Sequence, residues 1–455
     1  MSRVDFVVQP ARAPLRGSVP VPSDKSISHR ALIFASLAEG TSEIRGFSYG
    51  GDNVSTLEAM RAMGVRVEDD GEGTLRVHGV GLHGLKPPPG PIDCGNSGTT
   101  MRILAGVLAA QPFQTTLIGD ASLSKRPMAR IAGPLRRRGA SIEGAFHPTK
   151  AGEITPPLVI GPLPEGARLL GIEEEMRVAS AQVKSALLLS GLYADGPTYV
   201  REPLVSRDHT ERMLSALGVP IRAVGTMVEL DPAGFSGVLK AFSLDVPGDL
   251  SAACFLAGAG LLVAGSEVVV RGVGLNRTRS GFVDFLRDVG ALITAEERGD
   301  AMGEPIGDLF VRGGELRGGL LAGEVVTRAI DEVPALAAIA ARARGTTEIA
   351  DAAELRVKES DRLRAMARVL AAFGVVSEER PDGMTIVGQP DTPLKAADVD
   401  SEGDHRIAMS AVMLGLVADG ETRVRDVDCV STSFPRFAGT LRALGADVRA
   451  VRTEG

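Results

Sequence analysis

Leu57-Glu58-Ala59-Met60-Arg61-Ala62-Met63-Gly64-Val65-Arg66-Val67 returns near the other end of the chain as Leu441-Arg442-Ala443-Leu444-Gly445-Ala446-Asp447-Val448. Both read as a helix with an apolar face that closes on a glycine and runs into a strand. The closing glycine recurs as Gly139, Gly218, Gly290 and Gly374, at intervals of about 70–85 residues. Ahead of each lies a second recurring element, an apolar helical run followed by a β-prone stretch. It occurs at Ala31–Gly46 through Gly40, Ala186–Arg201 through Gly196, Cys254–Gly272 through Gly265, Ala335–Ile349 through Gly345 and Met409–Val427 through Gly420. The copy at Arg102–Gly119 has Gln111-Pro112 in place of the glycine. In this element too the glycine is expected just past the helix end. Each copy therefore reads helix–strand–helix–strand–strand. The period is too long for a solenoid, and six copies suggest two domains of three, with a break near Val246-Pro247-Gly248.

The composition narrows the function. A chain of 455 residues has room for two substantial domains. A net charge of -7 argues against general nucleic-acid binding, which needs a basic footprint. Basic residues confined to short motifs suggest a local pocket for a small anionic ligand. Cys94, Cys254 and Cys429 stand far apart without CxxC spacing, so neither a disulfide framework nor a zinc site is expected. No apolar signal segment opens the chain, and the apolar stretch around Ala252–Ala264 is too short and Gly-rich to span a membrane. A soluble cytoplasmic protein is the expectation.

Just before the first helix of each copy lies a polar, cap-rich segment: Ser23–Arg30, Asn96–Arg102, Ser180–Lys184, Gly248–Ser251, Asp331-Glu332 and Asp404–Arg406. Six equivalent helix starts facing one cleft would gather positive dipole ends around a polyanion. In Ser23-Asp24-Lys25-Ser26-Ile27-Ser28-His29-Arg30, Ser23 or Asp24 caps a helix whose first turns carry Lys25, Ser26 and Arg30. Asn96-Ser97-Gly98-Thr99-Thr100-Met101-Arg102 is a Gly/hydroxyl loop entering a helix, and Gly98 lets a ligand approach the backbone closely. Lys125-Arg126 sits in a loop halted by Pro127. In Lys358-Glu359-Ser360-Asp361-Arg362, Lys358 and Arg362 are expected on one helix face with Glu359 between cations, although a salt-bridged surface helix has the same pattern. Asp404-His405-Arg406 puts a cation at a helix start, which a bound anion would explain.

Several attractive signals fail. Gly79-Val80-Gly81-Leu82-His83-Gly84 fits GxGxxG, but Lys86-Pro87-Pro88-Pro89 follows and no helix can receive a pyrophosphate. No P-loop or GxSxG motif occurs, and the six His are too scattered for a metal cluster.

Ser23–Arg30, Asn96–Arg102, Ser124–Met128, Lys358–Arg362 and Asp404–Arg406 together closely resemble the 3-phosphoshikimate 1-carboxyvinyltransferase (EPSP synthase) family, in order and spacing from about residue 14 onward. The resemblance implies an α/β fold of two domains, each of three βαβαββ units in an inside-out α/β barrel, with the active site in the interdomain cleft. One domain would comprise 1–21 plus 248–455 and the other 22–247. It also implies transfer of the enolpyruvyl group of phosphoenolpyruvate to the 5-hydroxyl of shikimate 3-phosphate by addition–elimination, in the shikimate pathway of aromatic amino acid biosynthesis. No metal or organic cofactor, nucleic acid or membrane would take part, and the enzyme would be a monomer.

Carried over onto this sequence, Asp331 is the proton acceptor near the 5-hydroxyl and Glu359 the donor to the methylene carbon. Lys25, also catalytic, lies between the substrates and assists proton transfer to the leaving phosphate, and the sequence leaves open how Asp331, Glu359 and Lys25 divide the acid–base work. Ser26, Arg30, Ser180, Gln182, Ser206, Asp331 and Lys358 hold shikimate 3-phosphate together with Lys25. Gly98, Arg126, Gln182, Arg362 and Arg406 hold phosphoenolpyruvate, again with Lys25. Departures from the best-known bacterial pattern are Ala181 for Ser, His209 for Tyr, Glu354 for Asn and Thr432 for Lys. Ser180–Lys184, Arg207–Glu211 and Asn276–Arg279 resemble the family's second subgroup, whose members often tolerate glyphosate, whereas Gly98 is typical of sensitive enzymes. Glyphosate sensitivity is thus left open. The nearest rival, UDP-N-acetylglucosamine 1-carboxyvinyltransferase, carries a Cys near the position of Ala121, and none lies between Gly119 and Met128. RNA 3′-phosphate cyclase is a more distant relative in fold, disfavoured by the acidic charge. A non-catalytic phosphometabolite-binding protein is disfavoured by intact Lys25, Asp331 and Glu359.

Overall fold

In the computed structural model, residues 3–147 and 149–453 are described; Met1, Ser2 and Pro148, and Glu454 and Gly455 at the far end of the expected domain 248–455, lie outside them. The chain divides into two units. One is Ser23–Val246 with Asp300–Glu304, and the other is Met1–Pro22, Pro247–Gly299 and Pro305–Gly455. Each has its own apolar core.

In the first unit, helices α1 (Lys25–Leu37), α3 (Gly98–Leu108) and α5 (Ala181–Gly191) form the centre, and α2 (Gly51–Ala62), α4 (Ala129–Arg137) and α6 (His209–Ala216) lie outside them. The central helices are apolar nearly all round, as a helix surrounded by protein must be. In α1 every residue from Ile27 to Leu37 is buried. The outer helices are one-sided: α4 buries Ile131, Ala132 and Leu135 and leaves its arginines toward water. Local chemistry fixes the helix starts. Asp24 Oδ1 accepts from Ile27 N at 2.9 Å, and Ser97 Oγ accepts from Thr100 N at 3.1 Å.

The second unit repeats this plan with α7 (Leu250–Leu262), α10 (Val333–Ala340) and α12 (His405–Gly415) at its centre. Around them are α8 (Gly281–Asp288), α11 (Arg362–Ala372) and α13 (Phe437–Ala443); α9 (Gly323–Arg328) is an extra short helix beside α8. Asp249 caps α7 and Asp404 caps α12, the latter accepting from Arg406 N at 2.9 Å.

Each unit carries three sheets with one pairing pattern. In one, Ile92–Asp93 runs parallel to Thr115–Ile118, which pairs antiparallel with Ile154–Ile160, itself antiparallel to Ile142–Phe146. A helix crosses over between the parallel strands and another precedes the hairpin, giving βαβαββ. Three sheets borrow a strand from a distant part of the chain. Leu239–Lys240 and Ser243–Asp245 lie parallel to Ala38–Arg45. Arg16–Pro20 lies parallel to Glu267–Gly274, and Arg3–Val8 fits between Thr422–Arg425 and Val448–Thr453. The two-domain α/β fold of repeated units is therefore as expected.

One expected detail needs correction. The glycines closing the second helix of each copy do follow the C-cap in left-handed backbone, with φ from 77° at Gly374 to 101° at Gly445. Those of the first element do not end their helices. Helix α1 stops at Leu37 and Gly40 already belongs to the strand Ala38–Arg45, while α12 stops at Gly415 and Gly420 lies in the following turn. These helices end instead where the chain turns into the strand that covers them. No helix among the described residues is long and apolar enough to cross a membrane.

Candidate active site

In the first unit the starts of α1, α3 and α5 are tied together by side chains. Lys25, first residue of α1, is ion-paired with Asp52 in the first turn of α2, and Asn53 Nδ2 donates to Lys25 O at 2.9 Å. Arg30, one turn on, is buried. Its Nε donates to Thr210 Oγ1 at 2.7 Å, its Nη2 to Ser185 Oγ at 2.7 Å and its Nη1 to Ser26 O at 2.9 Å. Burial pulls the Arg30 guanidinium down to about 10, with Glu211 and Asp24 opposing. Beside it, His29 meets Thr56 Oγ1 at 2.7 Å, and burial brings its pKa down to about 3.

The start of α3 has the geometry best suited to an anion. A Cβ placed on Gly98 would lie 3.1 Å from Arg102 Nη1 and 3.2 Å from Arg126 Nη1. Two guanidinium groups thus flank a bare backbone at the positive end of a helix. Arg102 Nη1 donates to Gln182 Oε1 at 2.6 Å, and Gln182 Nε2 donates to Thr99 Oγ1 at 2.9 Å, joining α3 to α5. Arg126 Nη2 donates to Asn96 Oδ1 at 2.7 Å, while its buried Nε has no acceptor among the described residues. Ser180 is the extended residue before α5. Ser206 lies before α6, its hydroxyl donating to Glu202 Oε1 at 2.5 Å. His209 is buried against Glu304 Oε1 at 2.7 Å.

The second unit gathers charges of both signs. Asp331 immediately precedes Glu332, the residue before α10. Asp331 Oδ1 faces Arg362 Nη1 at 3.3 Å and Lys358 Nζ at 3.4 Å, and Asp331 O accepts from Arg406 Nη1 at 2.8 Å. Arg362 also donates from Nη2 to Glu359 Oε2 at 2.7 Å and from Nε to Asp404 Oδ2 at 2.8 Å. Burial works against its charge, but Asp404, Glu359 and Asp331 outweigh it and raise its pKa. Burial likewise pushes the Asp404 carboxyl up, and Arg362 pulls it below the ordinary value. His405 is held neutral, at about 4, by burial and by Arg406.

Lys358 and Arg362 do not share a helix face. Asp361 caps α11 by accepting from Arg364 N at 3.2 Å, so Lys358 and Glu359 precede the helix, in the loop after the 3₁₀ turn Ala353–Val357. From this loop both Lys358 and Glu359 reach the cluster.

Each unit thus brings its own expected residues together: Lys25, Ser26, Arg30, Gly98, Arg126, Ser180, Gln182 and Ser206 around three helix starts, and Asp331, Lys358, Glu359, Arg362 and Arg406 around two. Asp52, Arg102 and Asp404 play larger parts than the sequence suggested. Asp52 had one signal, a carboxylate in the first turn of a second helix. Thr432 turns its hydroxyl to Cys429 O at 2.7 Å. No cluster of His, Cys, Asp and Glu suited to a metal occurs among the described residues.

These features have close counterparts. A family model described as EPSP synthase (3-phosphoshikimate 1-carboxyvinyltransferase) matches residues 10–441. A Geobacter sp. (strain M21) protein named 3-phosphoshikimate 1-carboxyvinyltransferase is 49% identical over 441 residues, 96% of this chain and 98% of that one. A Geobacter sulfurreducens protein of the same name is 50% identical over 443 residues, again 96% and 98%. The solved EPSP synthase of Acinetobacter baumannii superposes with a TM-score of 0.87 at 42% identity, covering 98% of this chain and 100% of that one. With its six βαβαββ copies and its cation-rich helix starts, the chain belongs to the EPSP synthase (3-phosphoshikimate 1-carboxyvinyltransferase) family.

Proposed function

We propose that the two clusters act on one pair of substrates, phosphoenolpyruvate and shikimate 3-phosphate. The chain is a transferase that moves the enolpyruvyl group of the first to the 5-hydroxyl of the second and releases phosphate. The observation that carries the assignment of residues is the pair of guanidinium groups over Gly98, a site shaped for a small, compact anion.

The reaction sets the requirements. In the addition step the acceptor hydroxyl loses a proton, its oxygen bonds to C2 of phosphoenolpyruvate, and the methylene carbon gains a proton to become methyl. In the elimination step the methyl returns a proton and the C2–O bond to phosphate breaks. A base, an acid and cations for the anionic groups suffice. Asp331, bonded to cations through Oδ1, is the group to take the hydroxyl proton. Glu359, half-exposed beside Arg362, is the group to exchange a proton with the methylene carbon. Lys25 touches both substrates and assists the leaving phosphate.

Arg126 and Gly98 receive phosphoenolpyruvate, with Gln182, Arg362 and Arg406. Arg102, between Gly98 and Gln182, joins this set. Ser26, Arg30, Ser180, Gln182, Ser206, Asp331 and Lys358 receive shikimate 3-phosphate. Arg30 has two of its five N–H bonds left after Thr210, Ser185 and Ser26 are served, and supplies charge and support to Ser26 as well as direct contact. The free thiols Cys94, Cys254 and Cys429 suit a reducing cytoplasm, and a monomer is the working form.

The test is Asp331→Ala. Turnover should fall at least about a thousandfold, the scale of losing a general base together with its charge, while shikimate 3-phosphate binding stays measurable by calorimetry. Turnover within tenfold of the parent would remove Asp331 from the chemistry.

A further inference from the structure

Lys184, Glu202 and Glu211 form a buried charge cluster that the chemistry above does not use. The Lys184 side chain is 1% exposed and that of Glu202 is 2% exposed. Lys184 Nζ donates to Glu202 Oε2 at 2.6 Å and to Ser206 O at 3.3 Å, and pairs with Glu211 Oε1 at 2.8 Å. These three acceptors use all its protons. Both oxygens of Glu202 are directed at one further residue, Ser206. Oε1 accepts from its hydroxyl at 2.5 Å and Oε2 from its backbone N–H at 3.2 Å. Ser206 is therefore held at its N–H, its carbonyl and its hydroxyl. It has no regular secondary structure to hold it, since it lies between the strand Thr198–Arg201 and α6.

A buried ion pair is weak evidence for stability, because desolvation consumes most of its Coulombic gain. Holding one loop serine by three groups is better explained by a need for that serine's position. The cluster also borders Arg30. Thr210 Oγ1, which accepts from Arg30 Nε, lies 2.7 Å from Ser185 Oγ, and Thr210 neighbours Glu211 in α6. Lys184 and Glu211 come from two of the segments that resemble the family's second subgroup, so the cluster gives those segments a physical role.

We infer that Glu202, anchored by Lys184, is a positioning residue that sets Ser206 for shikimate 3-phosphate: it takes both Ser206 donors and leaves the serine oxygen to accept from a hydroxyl of that substrate. This rests on the reading of Ser206 as a ligand to that substrate. Glu202 touches no substrate itself and acts through the serine.

The test is a double-mutant cycle in steady-state kinetics on the full chain, with Ser206→Ala, Glu202→Ala and the pair. Ser206→Ala is expected to raise KM for shikimate 3-phosphate about fivefold, the scale of one neutral hydrogen bond, with KM for phosphoenolpyruvate unchanged. Glu202→Ala is expected to do the same, and to add less than about twofold in the Ser206→Ala background. Additive effects, or equal rises in both KM values, would overturn the role of Glu202. So would an unchanged KM in Glu202→Ala beside a raised one in Ser206→Ala. An unchanged KM in Ser206→Ala would remove Ser206 from the substrate site, and this inference with it. If Glu202→Ala does not fold, Glu202→Gln keeps the shape and enters the same cycle. It must then change KM for shikimate 3-phosphate at least about threefold with Ser206 present and less than twofold without it. Loss of the fold in both variants would make Glu202 structural and overturn the inference.

Discussion

At Gly98 a single added carbon tests the proposed phosphoenolpyruvate site. A methyl group there must push on Arg102 and Arg126, each about a few tenths of an ångström too close for ordinary contact. Gly98→Ala should therefore raise KM for phosphoenolpyruvate about tenfold or more and leave KM for shikimate 3-phosphate within twofold. Equal KM values for phosphoenolpyruvate in parent and variant would show that the guanidinium pair does not receive it. The buried histidines make a second prediction at this scale. His29 falls to about 3 and His405 to about 4, both below the ordinary value of 6.5. The unfolded chain then binds more protons than the folded one below about pH 6.5, so stability is full above that pH and is lost as pH falls toward the folded values. Each histidine should cost about 2 kcal/mol between pH 6.5 and 5, on the scale of 1.36 kcal/mol per pH unit. Urea unfolding at the two pH values checks this, and equal midpoints would contradict it.

At the scale of elements, the recurring glycine was the most legible feature and also the one most easily overread. Its left-handed backbone is real after the second helices. At Gly290 a Cβ would meet nothing within 4 Å, so Gly290→Ala isolates the backbone cost. The variant should lose about 1–2 kcal/mol in urea unfolding. Gly299→Ala, also with open space around its Cβ position but without positive φ, should lose nothing. Equal losses in the two would refute the role given to the closing glycine. After the first helices Gly40, Gly265 and Gly345 also have positive φ, but they stand three or more residues beyond the helix end, so their conformation serves the turn or strand and not the cap. The Lys358–Arg362 segment failed as a helix for a related reason. Its i,i+4 charges fit a helix face, but Asp361 both caps α11 and pairs with Arg356 Nη1 at 2.8 Å, which puts the boundary inside the motif. Side-chain spacing does not reveal which of two acidic residues takes the cap.

For the whole molecule, the number of copies was readable and their completion was not. The leading strands are short, such as Ile92–Asp93, Leu320–Leu321 and Asp398–Asp400, and two or three residues carry no period. Others arrive from far along the chain, as Arg3–Val8 does in the sheet of the last copy. The helix starts that carry Lys25, Gly98 and Arg406 were legible because their caps mark them, whereas Ser206 and the roles of the candidate residues came only from the resemblance. The partners of the site residues were not legible, since Lys25 meets Asp52, Arg102 meets Gln182 and Arg362 meets Asp404 only after folding. What the assembled chain does is decided most directly by its acceptor. Phosphate release from phosphoenolpyruvate should be measured with shikimate 3-phosphate and, separately, with UDP-N-acetylglucosamine. Release with shikimate 3-phosphate alone is the predicted result, and release with the sugar nucleotide alone would contradict the account.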